Sequence, residues 1–214
     1  MQILFATHNA WKIQLFTPVF REYDFDVLTL VDLPGFDPRP PENGTTALNN
    51  AIVKARYYHS EAYPWVFGDD AGLEIDALGG EPGVQARRWN GLFPEDVDDQ
   101  TWLDYLLHRM QTVPEGERGA AFVAGWALID PSGETYTREV RAPFEIATHP
   151  IRPISPGSPI TAVRIGASDD LAWRKTEIRA EWEQWGILEQ LLGDQTDVKR
   201  RAIACYDPDR TLRR

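Results

Sequence analysis

In the first third of the chain, short apolar runs alternate with segments in which apolar residues recur at helical spacing. Residues 3–6 form an apolar run that predicts a buried strand, and residues 13–20 repeat apolar side chains at the spacing of a helix. Residues 27–31 predict a second strand. Thr46 is the predicted N-cap of a second helix, whose apolar stripe ends near Tyr58.

An acidic stretch follows this second helix. Residues 65–76 contain an apolar run, the adjacent carboxylates Asp69 and Asp70, and an alternating segment. The pattern predicts a buried strand, a turn and a second strand, with the aspartates where the first strand ends. Adjacent carboxylates repel each other, so water or a divalent cation is expected to neutralise them. An ordinary acidic turn is the alternative, and an isolated Asp-Asp-Ala-Gly favours it.

The second half predicts a helix, a hairpin and further helices. Asp98 and Asp99 can cap a helix that reaches Met110. Residues 122–142 predict a β-hairpin around a turn at 130–133. Residues 178–192 predict one amphipathic helix, and a short helix can start near Thr196. Strands alternating with helices, followed by a hairpin, indicate an α/β fold with a mixed sheet.

Composition narrows the classes of function. The chain has 214 residues, of which 43% are hydrophobic, and this predicts a single folded domain over residues 1–214. Its net charge of −11 argues against binding nucleic acid through the phosphate backbone. An anionic small substrate would need a metal ion and a local basic cluster to overcome this charge.

The sequence contains few signals of the cellular compartment. The single cysteine, Cys205, excludes an intrachain disulfide and fits a reducing compartment. No apolar run approaches the roughly 18 to 20 residues of a membrane span. The N-terminus has no basic region of a signal peptide. A cytoplasmic protein without membrane contact is therefore expected.

The entrance of the first helix is a candidate anion site. Thr7 and Asn9 precede the helix, and Lys12 lies in its first turns. A helix N-terminus offers unpaired backbone N–H groups and partial positive charge, which suit a phosphate. Simple capping by Thr or Asn is the alternative. The chain has only four lysines, at positions 12, 54, 175 and 199.

Four motifs occur in a fixed order, and together they are more specific than any one alone. They are Thr7-x-Asn9-x-x-Lys12; Glu42 followed by Gly44-x-Thr46 and Asn50-Ala51-x-x-Lys54-Ala55; Asp69-Asp70-x-Gly72-Leu73-x-x-Asp76-x-Leu78-x-Gly80-x-Pro82-Gly83; and Arg88-x-x-Gly91. This series resembles the inosine triphosphate pyrophosphatase family, which hydrolyses non-canonical purine nucleoside triphosphates. The resemblance covers residues 1–91 and weakens beyond them.

The resemblance implies roles for individual residues. The substrate would be bound by Thr7, His8, Asn9, Lys12, Lys54 and Arg88. Mg²⁺ would be held by Glu42, Asp69 and Asp70, since this hard cation prefers carboxylate oxygen and bridges to phosphate. The catalytic residues would be Asp69, Asp70 and Lys12, with an aspartate orienting or deprotonating the attacking water and the lysine stabilising phosphate charge.

The resemblance also implies the reaction and the architecture. In-line attack at the α-phosphorus would convert a nucleoside triphosphate such as ITP, dITP or XTP into the monophosphate and pyrophosphate. The fold would be an elongated central mixed sheet flanked by helices, with two lobes and an active-site cleft between them. A homodimer is also implied.

Departures from the family keep other functions open. Trp11 stands where a small residue is common, Asn49 stands where Glu is common, and residues 164–171 and 197–202 do not match the family's base-pocket segments. Base preference can therefore differ from the family's. The alternatives are a nucleotide-binding or scaffolding relative without turnover, and a metal-dependent phosphohydrolase that releases orthophosphate. Trp11 and Trp89 are candidates for stacking on a base.

Overall fold

The structure is a computed structural model that describes residues 1–33, 40, 43–94, 96–166 and 171–193, with residues 171–173 described by their backbone alone. Three features predicted from the sequence lie outside these residues. They are the side chain of Glu42, Cys205 and the short helix near Thr196. In the described part of the chain, no helix is both long and apolar enough to cross a membrane.

Seven strands and five α-helices make up the described chain. The strands are β1 (Gln2–Phe5), β2 (Asp26–Thr29), β3 (Val66–Ile75), β4 (Pro82–Gly83), β5 (Gly119–Ile129), β6 (Thr135–Ile146) and β7 (Arg164–Ile165). The helices are α1 (Ala10–Arg21), α2 (Ala47–Tyr58), α3 (Asp99–Arg109), α4 (Leu171–Trp185) and α5 (Ile187–Leu192). Short 3₁₀ turns span Asp76–Leu78 and Pro159–Val163.

The strands form one mixed sheet in the order β2-β1-β3-β5-β6-β7, with β4 paired to β3. β1 runs parallel to β2 and β3, whereas the pairs from β3 through β7 are antiparallel. β5 and β6 are the predicted hairpin, in register from Gly119 opposite Glu145 to Ile129 opposite Thr135. The predicted α/β class with a mixed, helix-flanked sheet is confirmed.

The prediction of a strand, a turn and a second strand in the acidic stretch is wrong. β3 is a single strand of ten residues, and Asp69 and Asp70 lie in its middle. Every residue from Val66 to Ile75 has a partner on β5. Gly72 favoured a turn in the sequence, but here it allows close approach, because a Cβ at this position would lie 2.8 Å from the Gly83 carbonyl oxygen.

The opposite edge of β3 is shared by two short strands. β1 pairs with β3 at Val66 and Phe67, and β4 pairs with β3 at Leu73 and Glu74. Residues 68–72 of β3 therefore have no strand partner on this edge among the described strands. The sheet opens beside the aspartate pair, at the carboxyl end of β1, which is where α/β sheets commonly bind ligands.

Apolar clusters cover the two faces of the sheet around this opening. On one face Phe16 of α1 packs against Phe67 with ring centroids 5.2 Å apart, and Trp182 of α4 packs against Phe67 at 5.3 Å. On the other face α2 buries Ala51 and Ala55. Helices on both faces are thus held close to the middle of β3.

A third apolar cluster lies farther along the sheet, around α3. It contains Leu103 and Leu106 of α3 together with Ile75 and Ile146 at the ends of β3 and β6. Trp89 belongs to this cluster and is 3% exposed, with its ring 5.1 Å from Trp102. Trp89, one of two candidates for stacking on a base, is instead a core residue, because neighbouring rings cover this side chain.

The C-terminal amphipathic pattern forms two helices and not the single helix predicted. Gly186 separates α4 from α5 and has a φ of +63°, a left-handed conformation that glycine adopts without steric cost. Trp182 and Leu188, on either side of the break, are both fully buried. The break lets the apolar residues of both segments face one core although the helix axis changes direction.

Candidate active site

The N-terminus of α1 begins directly beyond β1. Asn9 is the N-cap, and its Oδ1 accepts hydrogen bonds from the backbone nitrogens of Trp11 at 2.9 Å and Lys12 at 3.2 Å. Thr7 Oγ1 accepts from the Asn9 nitrogen at 3.1 Å. The described contacts show that Asn9 caps α1, and binding of an anion at the same helix entrance stays a prediction.

The turn after β2 supports the same loop. The Leu30 nitrogen donates to the Thr7 carbonyl oxygen at 3.2 Å. Asp32 Oδ2 accepts hydrogen bonds from the Thr29 hydroxyl at 2.7 Å and the Thr29 nitrogen at 2.8 Å. These two bonds hold the pKa of the Asp32 carboxyl below its ordinary value, because both stabilise its ionised form.

Asp69 points to the α1 face of β3. Its Oδ1 lies 2.5 Å from the Lys12 ammonium, and the aspartate side chain is 3% exposed. Successive side chains of a strand point to opposite faces, so Asp69 shares its face with Phe67, against which α1 packs. The ion pair fixes Lys12 over the open part of β3.

Asp70 points to the α2 face of the same strand. Lys54 donates to Asp70 Oδ1 at 3.0 Å and to the Asp69 carbonyl oxygen at 3.3 Å. Asn50, one helical turn before Lys54, donates through Nδ2 to Asp70 Oδ2 at 2.8 Å. Both carboxylate oxygens of Asp70 therefore have a partner on α2.

These side chains meet in a pocket with a volume of about 240 Å³. It is lined by Ala6, Thr7, His8, Asn9, Lys12, Leu30, Pro40, Lys54, Tyr58 and Asp70. The lining combines a helix N-terminus, two ammonium groups and one buried carboxylate. Such a site can attract a phosphate chain and place an acceptor for a proton beside it.

The chain's similarity to known proteins is consistent with this geometry. A sequence model of the Ham1 family matches residues 3–153. This chain belongs to the Ham1 family. Over 144 residues the Ham1 chain is 38% identical to the dITP/XTP pyrophosphatase of Corynebacterium efficiens, a match that covers 66% of this chain and 68% of that protein.

Other relatives extend the comparison. The dITP/XTP pyrophosphatase of Oceanobacillus iheyensis is 37% identical over 134 residues, which cover 63% of this chain and 66% of that protein, just under two thirds of its length. A crystal structure described as nucleoside-triphosphatase / dITP/XTP pyrophosphatase, from Mycobacterium abscessus, superposes with a TM-score of 0.63 at 30% identity. That superposition covers 91% of this chain and 100% of the other. The predicted family resemblance is confirmed.

Six of the predicted site residues line the pocket of this Ham1 chain, two described ones do not, and one lies outside the described residues. The lining residues are Thr7, His8, Asn9, Lys12, Lys54 and Asp70. Asp69 is absent from the lining and contacts it through Lys12. Arg88 is exposed and is also absent from the lining, while Glu42 lies outside the described residues.

Asn50 and Tyr58 are site residues to which the sequence motifs assigned no role, although Asn50 stands in the second motif. Tyr58 lines the pocket, and Asn50 bonds Asp70 from behind it. Both lie on the buried side of α2, four residues before and after Lys54. That spacing puts them on one helix face with the lysine. The spacing from Lys54 could therefore have identified both residues from the sequence.

The described side chains offer a metal ion a small set of ligands. Within residues 1–33, 40, 43–94, 96–166 and 171–193, no three His, Cys, Asp or Glu side chains cluster. Asp70 is the carboxylate that lines the pocket. Proteins usually bind Mg²⁺ through one or two carboxylates together with substrate phosphates, so this donor set fits a cation that arrives with a phosphate chain.

Proposed function

We propose that this Ham1 chain hydrolyses non-canonical purine nucleoside triphosphates, such as dITP or XTP, to the nucleoside monophosphate and pyrophosphate. The observation that carries the proposal is that Lys12, Lys54, the α1 N-terminus and the buried carboxylate of Asp70 line one pocket. The names of the relatives supply the substrate class.

In this proposal the phosphate chain contacts two ammonium groups directly, although the whole chain is acidic. The net charge is −11, but Lys12 and Lys54 both line the same small pocket. Each ammonium group pairs with an aspartate in the described structure. A triphosphate entering the pocket would share these ammonium groups with the aspartates, which keeps the lysines in place before the substrate arrives.

Mg²⁺ is part of the proposal, with Asp70 as a ligand and Glu42 as the second ligand that the sequence predicts. The ion would neutralise charge on the phosphate oxygens. The predicted third ligand, Asp69, is assigned a different role. Its carboxylate lies on the opposite face of β3 from Asp70, where it holds Lys12.

The chain's own residues account for the remaining steps. Asp70 accepts the proton of the attacking water as a new oxygen bond forms at the α-phosphorus. The bond from that phosphorus to the bridging oxygen of the β-phosphate breaks, and pyrophosphate leaves. Lys12 and Lys54 stabilise the charge that develops on the phosphate oxygens.

A nucleotide screen tests the proposal. Canonical and deaminated nucleoside triphosphates, in ribose and deoxyribose forms, are incubated with Mg²⁺ while pyrophosphate and orthophosphate are measured separately. We expect pyrophosphate from at least one deaminated purine nucleotide. No release from any nucleotide would overturn the proposal, and orthophosphate alone would indicate a different phosphohydrolase.

Replacement of Asp70 tests the mechanism. Asp70→Asn keeps the size of the side chain and an oxygen for Asn50 but removes the proton acceptor. We expect kcat to fall by about 10²- to 10⁴-fold, the usual contribution of a general base. Thermal melting checks that the variant is folded. A folded variant with unchanged kcat would remove Asp70 from the mechanism.

Three further expectations stay predictions. They are a single domain over residues 1–214, a homodimer and a cytoplasmic location. Light scattering coupled to size-exclusion chromatography gives the mass in solution, and the mass of a single chain would contradict the homodimer.

A further inference from the structure

Asn50 is buried at the junction of three elements of the site. It is 2% exposed and lies on α2 between β3 and the loop that enters the helix. A buried amide is costly unless its hydrogen-bonding groups have partners. Asn50 meets this requirement with one bond to each side: to Asp70 on β3 and to Gly44 in the loop.

The chemistry of its two partners fixes the orientation of the amide. The Gly44 nitrogen can only donate, and it lies 2.8 Å from Asn50 Oδ1. The ionised Asp70 carboxylate can only accept, and its Oδ2 lies 2.8 Å from Asn50 Nδ2. A flipped amide would set donor against donor and acceptor against acceptor, so one orientation satisfies both partners.

The loop approaches closely because residue 44 has no side chain. A Cβ on Gly44 would lie 2.5 Å from Asn50 Oδ1 and 2.9 Å from the Cβ of Asn49. Any larger residue would push the loop away from the amide. Gly44 and Asn50 therefore form a matched pair whose contact holds the amide from behind.

The two partners of Asp70 on α2 differ in what they do when a substrate binds. Lys54 carries a charge and lines the pocket, so an anionic substrate competes with Asp70 for its ammonium group. Asn50 is neutral and short, and it is absent from the pocket lining. A substrate anion does not compete for this neutral amide, so we expect its bond to Asp70 Oδ2 to remain when Lys54 turns to the substrate.

We propose that Asn50 is a positioning residue that holds the Asp70 carboxylate through Oδ2 and thereby directs Oδ1 to the substrate during the reaction. This inference rests on the proposed function, since it assigns a role in the same site. Residues that orient a reacting or ligating carboxylate commonly affect activity by roughly 10- to 100-fold when they are removed.

Asn50→Asp removes the donor to Asp70 and adds one negative charge, which the Asn49→Asp control also adds. The new side chain keeps the shape and the oxygen that accepts from Gly44, but it has no donor for Asp70 Oδ2. We expect kcat for pyrophosphate release to fall roughly 10- to 100-fold. KM for the nucleotide should change by less than about threefold, because Lys12, Lys54 and the α1 N-terminus remain.

Asn49→Asp is the matched control. It makes the same chemical change one residue earlier, at an exposed position whose side chain does not line the pocket. We expect kcat and KM to match those of the unmodified chain. Equal kcat values for Asn49→Asp and Asn50→Asp would overturn the inference, as would a loss confined to KM.

Folding is checked separately. Thermal melting of each variant shows whether lost activity follows lost structure. If Asn50→Asp does not fold, Asn50→Ala removes the donor to Asp70 without adding a carboxylate, together with the bond to Gly44. The double variant Asn50→Asp/Asp70→Asn exchanges the two partners and restores a donor–acceptor pair, so we expect its melting temperature to recover while its kcat stays low.

The outcomes separate this inference from the proposed function. An unmodified chain that releases no pyrophosphate from any nucleotide contradicts the function itself. An active chain whose folded Asn50 variants keep full kcat contradicts only the positioning role.

Discussion

At the scale of residues, the pocket is organised by two lysine–aspartate pairs. Lys12 lies 2.5 Å from Asp69, and Lys54 lies 3.0 Å from Asp70. The aspartates are adjacent in the chain but point to opposite faces of β3, so each holds a lysine from a different helix. The positive charges thus approach the pocket from two sides.

Removal of the Lys54 charge is expected to weaken substrate binding. Lys54→Gln keeps a polar side chain but gives up a charge-assisted contact worth about 1.5–3 kcal/mol, which corresponds to roughly a 10- to 100-fold rise in KM. Steady-state pyrophosphate release measures this change. Lys175→Gln on α4 is the control, since Lys175 does not line the pocket. An unchanged KM for Lys54→Gln would contradict a phosphate contact by this lysine.

At the scale of elements, α2 rests directly on the backbone of the sheet. A Cβ on Gly68 would lie 2.2 Å from the Ala51 carbonyl oxygen, and one on Gly125 would lie 2.2 Å from the Leu48 Cα. Gly125 is the partner of Asp70 across β3 and β5. The two glycines therefore let α2 approach close enough for its side chains to bond Asp70.

Gly68→Ala is expected to move α2 away from β3. The added methyl group meets backbone atoms, which have no alternative rotamer, so the cost is that of overpacking, about 1–3 kcal/mol of unfolding free energy. Urea denaturation measures the loss. Ala71→Ser, at an exposed position of the same strand, is the control. If Gly68→Ala had the same free energy of unfolding as the unmodified chain, α2 could move away from β3 without cost, and the close contact would not be rigid.

At the scale of the whole molecule, the C-terminal helices close the core over α1. Tyr23, just beyond α1, donates to Glu189 Oε1 on α5 at 2.5 Å. Arg179 of α4 also lies 3.2 Å from Glu22, and Arg138 of β6 lies 2.6 Å from Glu181. These polar contacts link the last described helices to the end of α1 and to β6.

Tyr23 makes the stability of this packing sensitive to alkaline pH. Burial, followed by the hydrogen bond to Glu189, raises the pKa of Tyr23 above its ordinary value of 10.0. Below that value both folded and unfolded chains keep the proton, and the contribution to stability is complete. Above it the unfolded chain loses the proton first, so stability falls as pH rises.

Tyr23→Phe is expected to flatten this alkaline decline. At neutral pH the variant should lose about 0.5–1.5 kcal/mol with the hydrogen bond, and the difference from the unmodified chain should shrink above about pH 10. Urea unfolding from about pH 8 to about pH 11 measures both effects. Tyr57→Phe on α2, at an exposed tyrosine, is the control. A constant difference across this range would contradict the assigned role of Tyr23.

The sequence alone was sufficient for the features that depend on neighbouring residues. The spacing of apolar residues and the capping of helices are local properties. The elements α1, α2, α3 and the β5–β6 hairpin could therefore be predicted. The order of motifs was sufficient to predict the family and to name most residues of the pocket. Lys12, Lys54 and Asp70 were among them.

Tertiary structure decided the features that depend on distant partners. β3 is continuous through Asp69 and Asp70 because β5 pairs with all ten of its residues, and a local turn signal cannot compete with that ladder. β1 and β4 leave the other edge open beside the aspartates, which creates the pocket. The packing of α2 made Asn50 part of the site. The sequence therefore determined which charged and polar groups are available to the pocket, because these follow from residue identity, whereas long-range pairing determined the face of the sheet on which each group lies.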